Sequence, residues 1–188
     1  MASDKRPAGE PVRFRFRIGE TEAVLGADKE KHGLVSLRAP GANVELVREP
    51  YFALNLYRIM YDRRLHGIAR HEPFHVRSRT ERGIALEWEA TDVNPCRLEA
   101  VYELADEATI DLTVSLEARR PASKYEITVS SYFDFALEPY AVIPTWPGKT
   151  AGADLLLHKV DDHPLLKGHY VYFPRDNEAG RTRMAGRW

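Results

Sequence analysis

Between Leu65 and Val76 the chain reads LHGIARHEPFHV, which brings His66, His71, His75 and Arg70 together, with Arg64 just before them. Imidazole titrates near neutral pH, so it can give and retake a proton or bind a metal, and guanidinium holds anions through paired hydrogen bonds. Four chemistries therefore fit the stretch: a metal site, an anion-binding surface, an acid–base cluster, or a solvated sheet edge. Carboxylates lie near in sequence, at Glu72 beside His71 and at Glu138 just after SSYFDF. His158, His163 and His169 follow later, with Asp161 and Asp162. A metal would take His71, His75 and one of these later imidazoles. The spacing matches neither a helical HExxH nor another dedicated metal motif, so neither metal nor cofactor is expected. PGKT (Pro147 to Thr150) ends like a phosphate-binding loop, but Ile143 stands where such a loop needs glycine.

The elements that must position these groups have a period of two. VRFRFRI puts Val12, Phe14, Phe16 and Ile18 on one face and three arginines on the other. RLEAVYEL directs Leu98, Ala100, Tyr102 and Leu104 inward, and ATIDLTVSLE does the same with Ile110, Leu112, Val114 and Leu116. KYEITVSSYFDF follows with Tyr125, Ile127, Val129, Phe133 and Phe135. Alternation of this kind marks strands with one buried face. The polar ADEA and TERG segments join neighbouring strands as hairpins. Only Ala53 to Leu65 offers a helical alternative, and Tyr, Ile and Asn there leave strand and helix both open. Glu138 to Asp154, with three prolines and two glycines, is expected to be a long loop across one end; DLLLHKV and HYVYF then read as two more strands. The expected fold is all-β, an antiparallel β-sandwich of about ten strands.

Length and charge bound the rest. With 188 residues the chain suits one domain, residues 12–188, behind a frayed tail of residues 1–11. Lys and Arg total 27 against 28 Asp and Glu, so no basic excess supports a nucleic-acid partner. Cys96 is the single cysteine, which excludes an internal disulfide and fits a reducing compartment. No apolar leader or membrane span is visible, and a cytoplasmic location is expected. The ending RMAGRW has the character of a strand cut at its first large aromatic; a fragment and a native end both fit it.

From Leu65 to Phe135 the succession HGIAR, IALEWEATD, RLEAVYELADEATIDLTVSLEA and ITVSSYF resembles the aldose 1-epimerase (galactose mutarotase-like) superfamily, nearest its hexose-6-phosphate mutarotase branch. The resemblance implies a supersandwich, complete or partial, that binds a sugar or sugar phosphate on the concave face of one sheet. His66 and Arg70 match the sugar-contacting positions of the HGFAR-like motif. On an extended segment, residues four apart share a face, with Ile68 between them. The family's catalytic histidine opens an HxYF strand, where this chain has Ser130 in SSYF. A hydroxyl without a base is far too weak an acid for that step. The family's glutamate, late in its sequence, has no located counterpart here. His71 and Glu138 are the candidate replacements.

Aromatic rings offer another route to sugars. Trp88 falls in phase with Ile84 and Leu86 and is expected in the core. Tyr132, out of phase with Phe133, and Trp146, on the proline-rich segment, are the expected ligand contacts. Three functions remain: a carbohydrate-binding or carbohydrate-processing protein with altered or lost epimerase chemistry, an active epimerase using a displaced His71, and a non-catalytic interaction module. The oligomeric state is open.

Overall fold

The computed structural model describes residues 12–27, 31–38, 44–48, 52–106, 109–134, 138, 140–144 and 155–159. In chain order the first strands are β1 (Val12–Ile18), β2 (Thr21–Ala27), β3 (His32–Arg38), β4 (Asn55–Tyr61), β5 (Arg64–Ile68) and β6 (Phe74–Arg79). They are followed by β7 (Gly83–Trp88), β8 (Cys96–Leu104), β9 (Ile110–Ala118), β10 (Glu126–Ser130), β11 (Tyr140–Pro144) and β12 (Leu155–Lys159). The fold is all-β and every pairing is antiparallel. The only helical element among the described residues is a 3-10 turn at Ala69–His71. None of their helices is long and apolar enough to cross a membrane.

The chain divides into two compact units, Met1–Asp134 and Phe135–Trp188. The first holds three sheets, ordered β1-β2-β3, β10-β4-β5 and β6-β7-β8-β9; in the second, β11 pairs with β12. Single bridges stitch the first unit further: Leu34 pairs with Ala53, Arg38 with Glu45, and Val47 with Phe133.

One apolar core serves all three sheets of the first unit. Phe14 and Leu25 enter from the first sheet, Leu56 and Ile59 from the second, and Trp88, Leu98 and Tyr102 from the third. Trp88 is fully buried, as its phase with Ile84 and Leu86 requires, and its indole N–H donates to the Ala69 carbonyl at 3.0 Å. Burying a side chain of this size stabilises the fold by roughly 2–3 kcal/mol, provided its N–H keeps a partner. The Tyr102 hydroxyl likewise donates to the Leu54 carbonyl at 2.7 Å.

Three local expectations change. The open segment Ala53 to Leu65 is no helix: Asn55–Tyr61 and Arg64–Ile68 form a hairpin through Asp62 and Arg63, whose φ values are 49° and 64°. Both turn residues adopt the left-handed region that a two-residue hairpin of matching twist demands. In β10 the register shifts between Ile127 and Val129, and the Thr128 hydroxyl accepts the Arg58 N–H at 2.9 Å. That bulge reverses the facing order, so Val129 and Phe133 point outward at 46% and 45% exposure. Finally, Glu138 to Asp154 is not all loop, because Tyr140–Pro144 pairs with Leu155–Lys159. The tail at residues 1–11 and the strand expected at HYVYF lie outside the described residues.

Candidate functional site

The HGIAR motif spans the end of β5 and the 3-10 turn. Extended backbone stops at Ile68, so the two-residue period does not carry from His66 to Arg70 and the expected shared face is broken. His66 is exposed and stacks on the Tyr61 ring, with centroids 3.4 Å apart and planes 6° apart. Its Nε2 lies 3.1 Å from the Tyr61 carbonyl oxygen. Arg70 is half-buried with its guanidinium 4.9 Å from the centre of the Tyr57 ring. This is a packing position beneath β4 more than an open rung.

The other candidates are scattered. His71 closes the 3-10 turn and is exposed. Glu138 belongs to the second unit, where its carboxylate pairs with Lys159 at 2.6 Å. Tyr132 is half-buried; its N–H donates to the Phe52 carbonyl and its own carbonyl accepts from Arg48 N–H. Trp146, His163 and His169 lie outside the described residues, as does the His158 side chain. Ser130 ends β10 opposite Asn55, and its carbonyl accepts the Asn55 amide at 2.9 Å.

Three of the four described imidazoles meet carboxylate or backbone partners, His66 at the Tyr61 carbonyl and the other two as follows. His75 Nε2 meets Glu87 at 3.2 Å on the outer face of the four-stranded sheet. Glu87 also takes Arg97 and lies 3.9 Å from Arg77, while Arg77 reaches across to Glu99. Burial opposes charge on Glu87, but the Arg97 hydrogen bond and the neighbouring cations hold its carboxyl below the usual range. His32 was not singled out by its sequence context, yet it is the most perturbed base described. It is wholly buried, with its ring edge-on to Trp88 and Phe74. Its Nε2 accepts the Leu56 N–H at 2.8 Å, which places the proton on Nδ1. Burial first, and the positive Arg70 second, push its pKa down to about 3. It is a neutral structural tether at working pH. A phase argument finds it: His32 and Leu34 follow Leu25 and Ala27 into the core.

Among the described residues no group of three His, Cys, Asp or Glu side chains is placed to hold a metal ion.

A cleft of about 940 Å³ lies beside the β1-β2-β3 sheet. Among the described residues six cations line it: Arg13, Arg15, Arg17, Lys31, Arg38 and Arg48. Three carboxylates, Glu22, Glu45 and Asp134, share the wall. Alternation on β1 sends its arginines to this side while Val12 and Phe14 enter the core. Glu45 shapes one end, accepting Leu37 N–H at 2.6 Å, Val47 N–H at 3.2 Å and the Ser36 hydroxyl at 2.6 Å. Burial opposes its charge, yet these bonds and Arg38 keep its carboxyl below the usual range. Arg17 pairs loosely with Glu22 at 3.4 Å, and Lys31 sits 5.1 Å above the Phe52 ring. Arg15 is exposed and makes no ion pair with the described residues. The arginine face was visible in VRFRFRI, but nothing in that heptapeptide distinguishes a cleft wall from an ordinary solvated face.

Comparison with known proteins adds no family: no protein-family model matches the chain, and no curated protein or solved structure matches it significantly. What the fold and site define is a class: an all-β protein of antiparallel sheets with a polar, cation-rich cleft.

Proposed function

We propose that the chain is a carbohydrate-binding protein of the mutarotase-like superfamily in which ordinary epimerase chemistry is altered or lost. The observation that carries this reading is the cleft of about 940 Å³, lined by guanidinium donors and carboxylate acceptors. A sugar offers hydroxyls that both donate and accept, so a wall mixing the two kinds of group suits it. The resemblance from Leu65 to Phe135 supplies the superfamily.

The loss of epimerase chemistry is supported by the histidines. Ring opening needs an imidazole and a carboxylate on opposite sides of a sugar. Ser130 stands at the family's histidine position, His32 is sealed in the core, and His75 is held against Glu87. His66 is stacked on Tyr61, which leaves His71 as the described imidazole open to substrate.

Calorimetric titration with a panel of neutral and charged saccharides tests binding, and polarimetry on glucose, galactose and their 6-phosphates tests turnover. Saccharide binding with anomer exchange at the uncatalysed rate is the expected pair of results. Turnover that disappears in His71→Ala would make the protein an active epimerase. Absence of any saccharide binding would favour an interaction module.

A further inference from the structure

We propose that two copies of this chain join edge to edge along β9, antiparallel about a two-fold axis at Thr113, making one continuous sheet with four strands from each copy. Among the described residues of the first unit, the strands at sheet edges are β1, β3, β5, β6, β9 and β10. An edge strand offers a row of backbone N–H and C=O groups to any chain that can pair with it. Folds blunt such edges with charge, proline, bulges or short length. The edges other than β9 are blunted in these ways. β1 carries exposed Arg13, Arg15 and Arg17. β5 and β10 are short, at five residues each, and their registers are interrupted. β6 has a register shift at Arg77, between Val76 and Ser78. β3 is bridged onward to Ala53 and Glu45.

β9 has none of these devices. Its nine residues, IDLTVSLEA, hold no proline, glycine, lysine or arginine, and they pair with β8 from end to end without a shift. Among the described residues β8 is its one strand partner. Ile110, Leu112 and Val114 are half-buried against the core, and Leu116 continues their row at 51% exposure. Thr113 and Ser115, on the other face, are exposed. A long, regular edge with an uncharged centre invites open-ended association, which a two-fold contact closes after one partner.

The occupant is a second copy because β9 complements itself in one register. In an antiparallel pair, residues directly opposite share a face and touch. With Thr113 opposite Thr113, Ile110 meets Leu116 and Leu112 meets Val114, each twice. On the other face Asp111 meets Ser115, and Glu117 meets Thr109. Every aliphatic side chain of the row therefore faces another, and no like charges meet. Moving the axis to Val114 sets Asp111 against Glu117, and moving it to Ser115 sets Ile110 against Arg120. Like charges directly opposite are destabilising, and an aliphatic facing a guanidinium loses its apolar contact. Glu117 is moreover held by its own sheet, by Arg119 at 2.7 Å and Arg97 at 3.6 Å. The outer edges of the joined sheet are then the two β6 strands, where the shift at Arg77 opposes further pairing.

Sedimentation velocity of the full chain from about 1 to about 100 μM is expected to show a monomer–dimer equilibrium. Thr113→Lys sets two like charges opposite each other at the axis and should raise the dissociation constant about tenfold or more. Its far-ultraviolet circular dichroism should match the wild type, because Thr113 is exposed. Ser78→Lys, the same charge on an exposed residue of the opposite edge strand, should leave the constant within about twofold. Thr113→Cys should give a disulfide-linked dimer on mild oxidation, since opposed Cβ atoms of an antiparallel pair lie about 5 Å apart. Ser115→Cys, opposite Asp111, should not. Cys96 is buried and does not compete. A monomer throughout that range, a dimer indifferent to Thr113→Lys, or cross-linking through Ser115→Cys in place of Thr113→Cys would overturn the proposal.

Discussion

His32 makes the stability of this protein depend on pH in a way its surface groups do not. Its pKa is 6.5 in the unfolded chain and about 3 in the fold, where burial and Arg70 oppose protonation. Above pH 6.5 neither state holds the proton, so the group has no effect on the folding equilibrium there. Below 6.5 the unfolded chain takes up a proton that the native state refuses, and stability falls by about 1.4 kcal/mol per pH unit until the folded pKa is reached. Between pH 7.5 and pH 4.5 the loss is about 2.7 kcal/mol, from the two units below 6.5. Domains of this size are stable by roughly 5–15 kcal/mol, so the effect is large. Glu45 and Glu87 have lowered carboxyl pKa values, so their contributions are lost on acidification as well, but only as pH falls through and below about 4.5. The window from 6.5 to 4.5 therefore belongs mainly to His32.

The assay is urea unfolding of the wild type and His32→Gln at pH 7.5, 6.5, 5.5 and 4.5. Glutamine offers an oxygen to the Leu56 N–H but has no proton to gain in this range. The wild type should be the more stable at pH 7.5, and its advantage should shrink by about 2.7 kcal/mol by pH 4.5. His32→Leu, which leaves the Leu56 N–H without an acceptor, should add a pH-independent loss of about 1–3 kcal/mol. Parallel curves for wild type and His32→Gln, within about 0.5 kcal/mol, would mean that His32 is protonated inside the fold and that its burial is misjudged.

Gly33→Ala should lower stability by about 2 kcal/mol or more in a thermal melt. Gly33 has φ 104°, and a Cβ there would lie 2.5 Å from the Ala53 carbonyl oxygen, where β3 crosses the entrance to β4. Glu87→Ala should cost about 2 kcal/mol by urea unfolding, since it strands Arg97, Arg77 and His75 on one face. The reverse double change, Glu87→Ala with Arg97→Ala, should recover part of that loss. Ser130→His should leave anomer exchange within about tenfold of the uncatalysed rate by polarimetry, because an acid alone supplies only part of the usual 10²–10⁴-fold acid–base contribution.

How much of this could be read from residues alone depends on what each residue faces. β1, β8 and the first half of β9 were legible because one face of each meets the core and the other is more open, which writes the period into the sequence; Leu116, expected inward with Val114, is instead 51% exposed near the end of β9. Trp88 followed from the same phase. β10 was legible as a strand but not in its facing order, because the bulge at Thr128 depends on a hydroxyl meeting Arg58 N–H from another strand. The β4–β5 turn carries Asp62 and Arg63 at positive φ with neither glycine nor asparagine to announce it. Phe52 and Leu54 also have positive φ, at 55° each, a conformation that costs roughly 1–2 kcal/mol and that no propensity would suggest. It is held by the bonds from Gly33's neighbour Leu34 to Ala53 on one side and from Tyr132 to Phe52 on the other.

The site was less legible than the fold for a related reason. Histidines crowd LHGIARHEPFHV, but the 3-10 turn after Ile68 sends His66, Arg70 and His71 to three different environments. Crowding along a chain becomes a site only if the backbone stays regular through it. The cleft arginines show the converse. Three of them alternate through one strand and three come from elsewhere, and only the sheet and the Glu45-bound segment bring the six together. Net charge hid them, because it sums the chain without regard to place. The balancing carboxylates are not idle either: Glu87, Glu99 and Glu117 are engaged by Arg77, Arg97 and Arg119 on the outer face of the four-stranded sheet. The cleft is paired in the same way, Arg17 with Glu22 and Arg38 with Glu45, so a formal total says nothing of which cation an incoming group would meet.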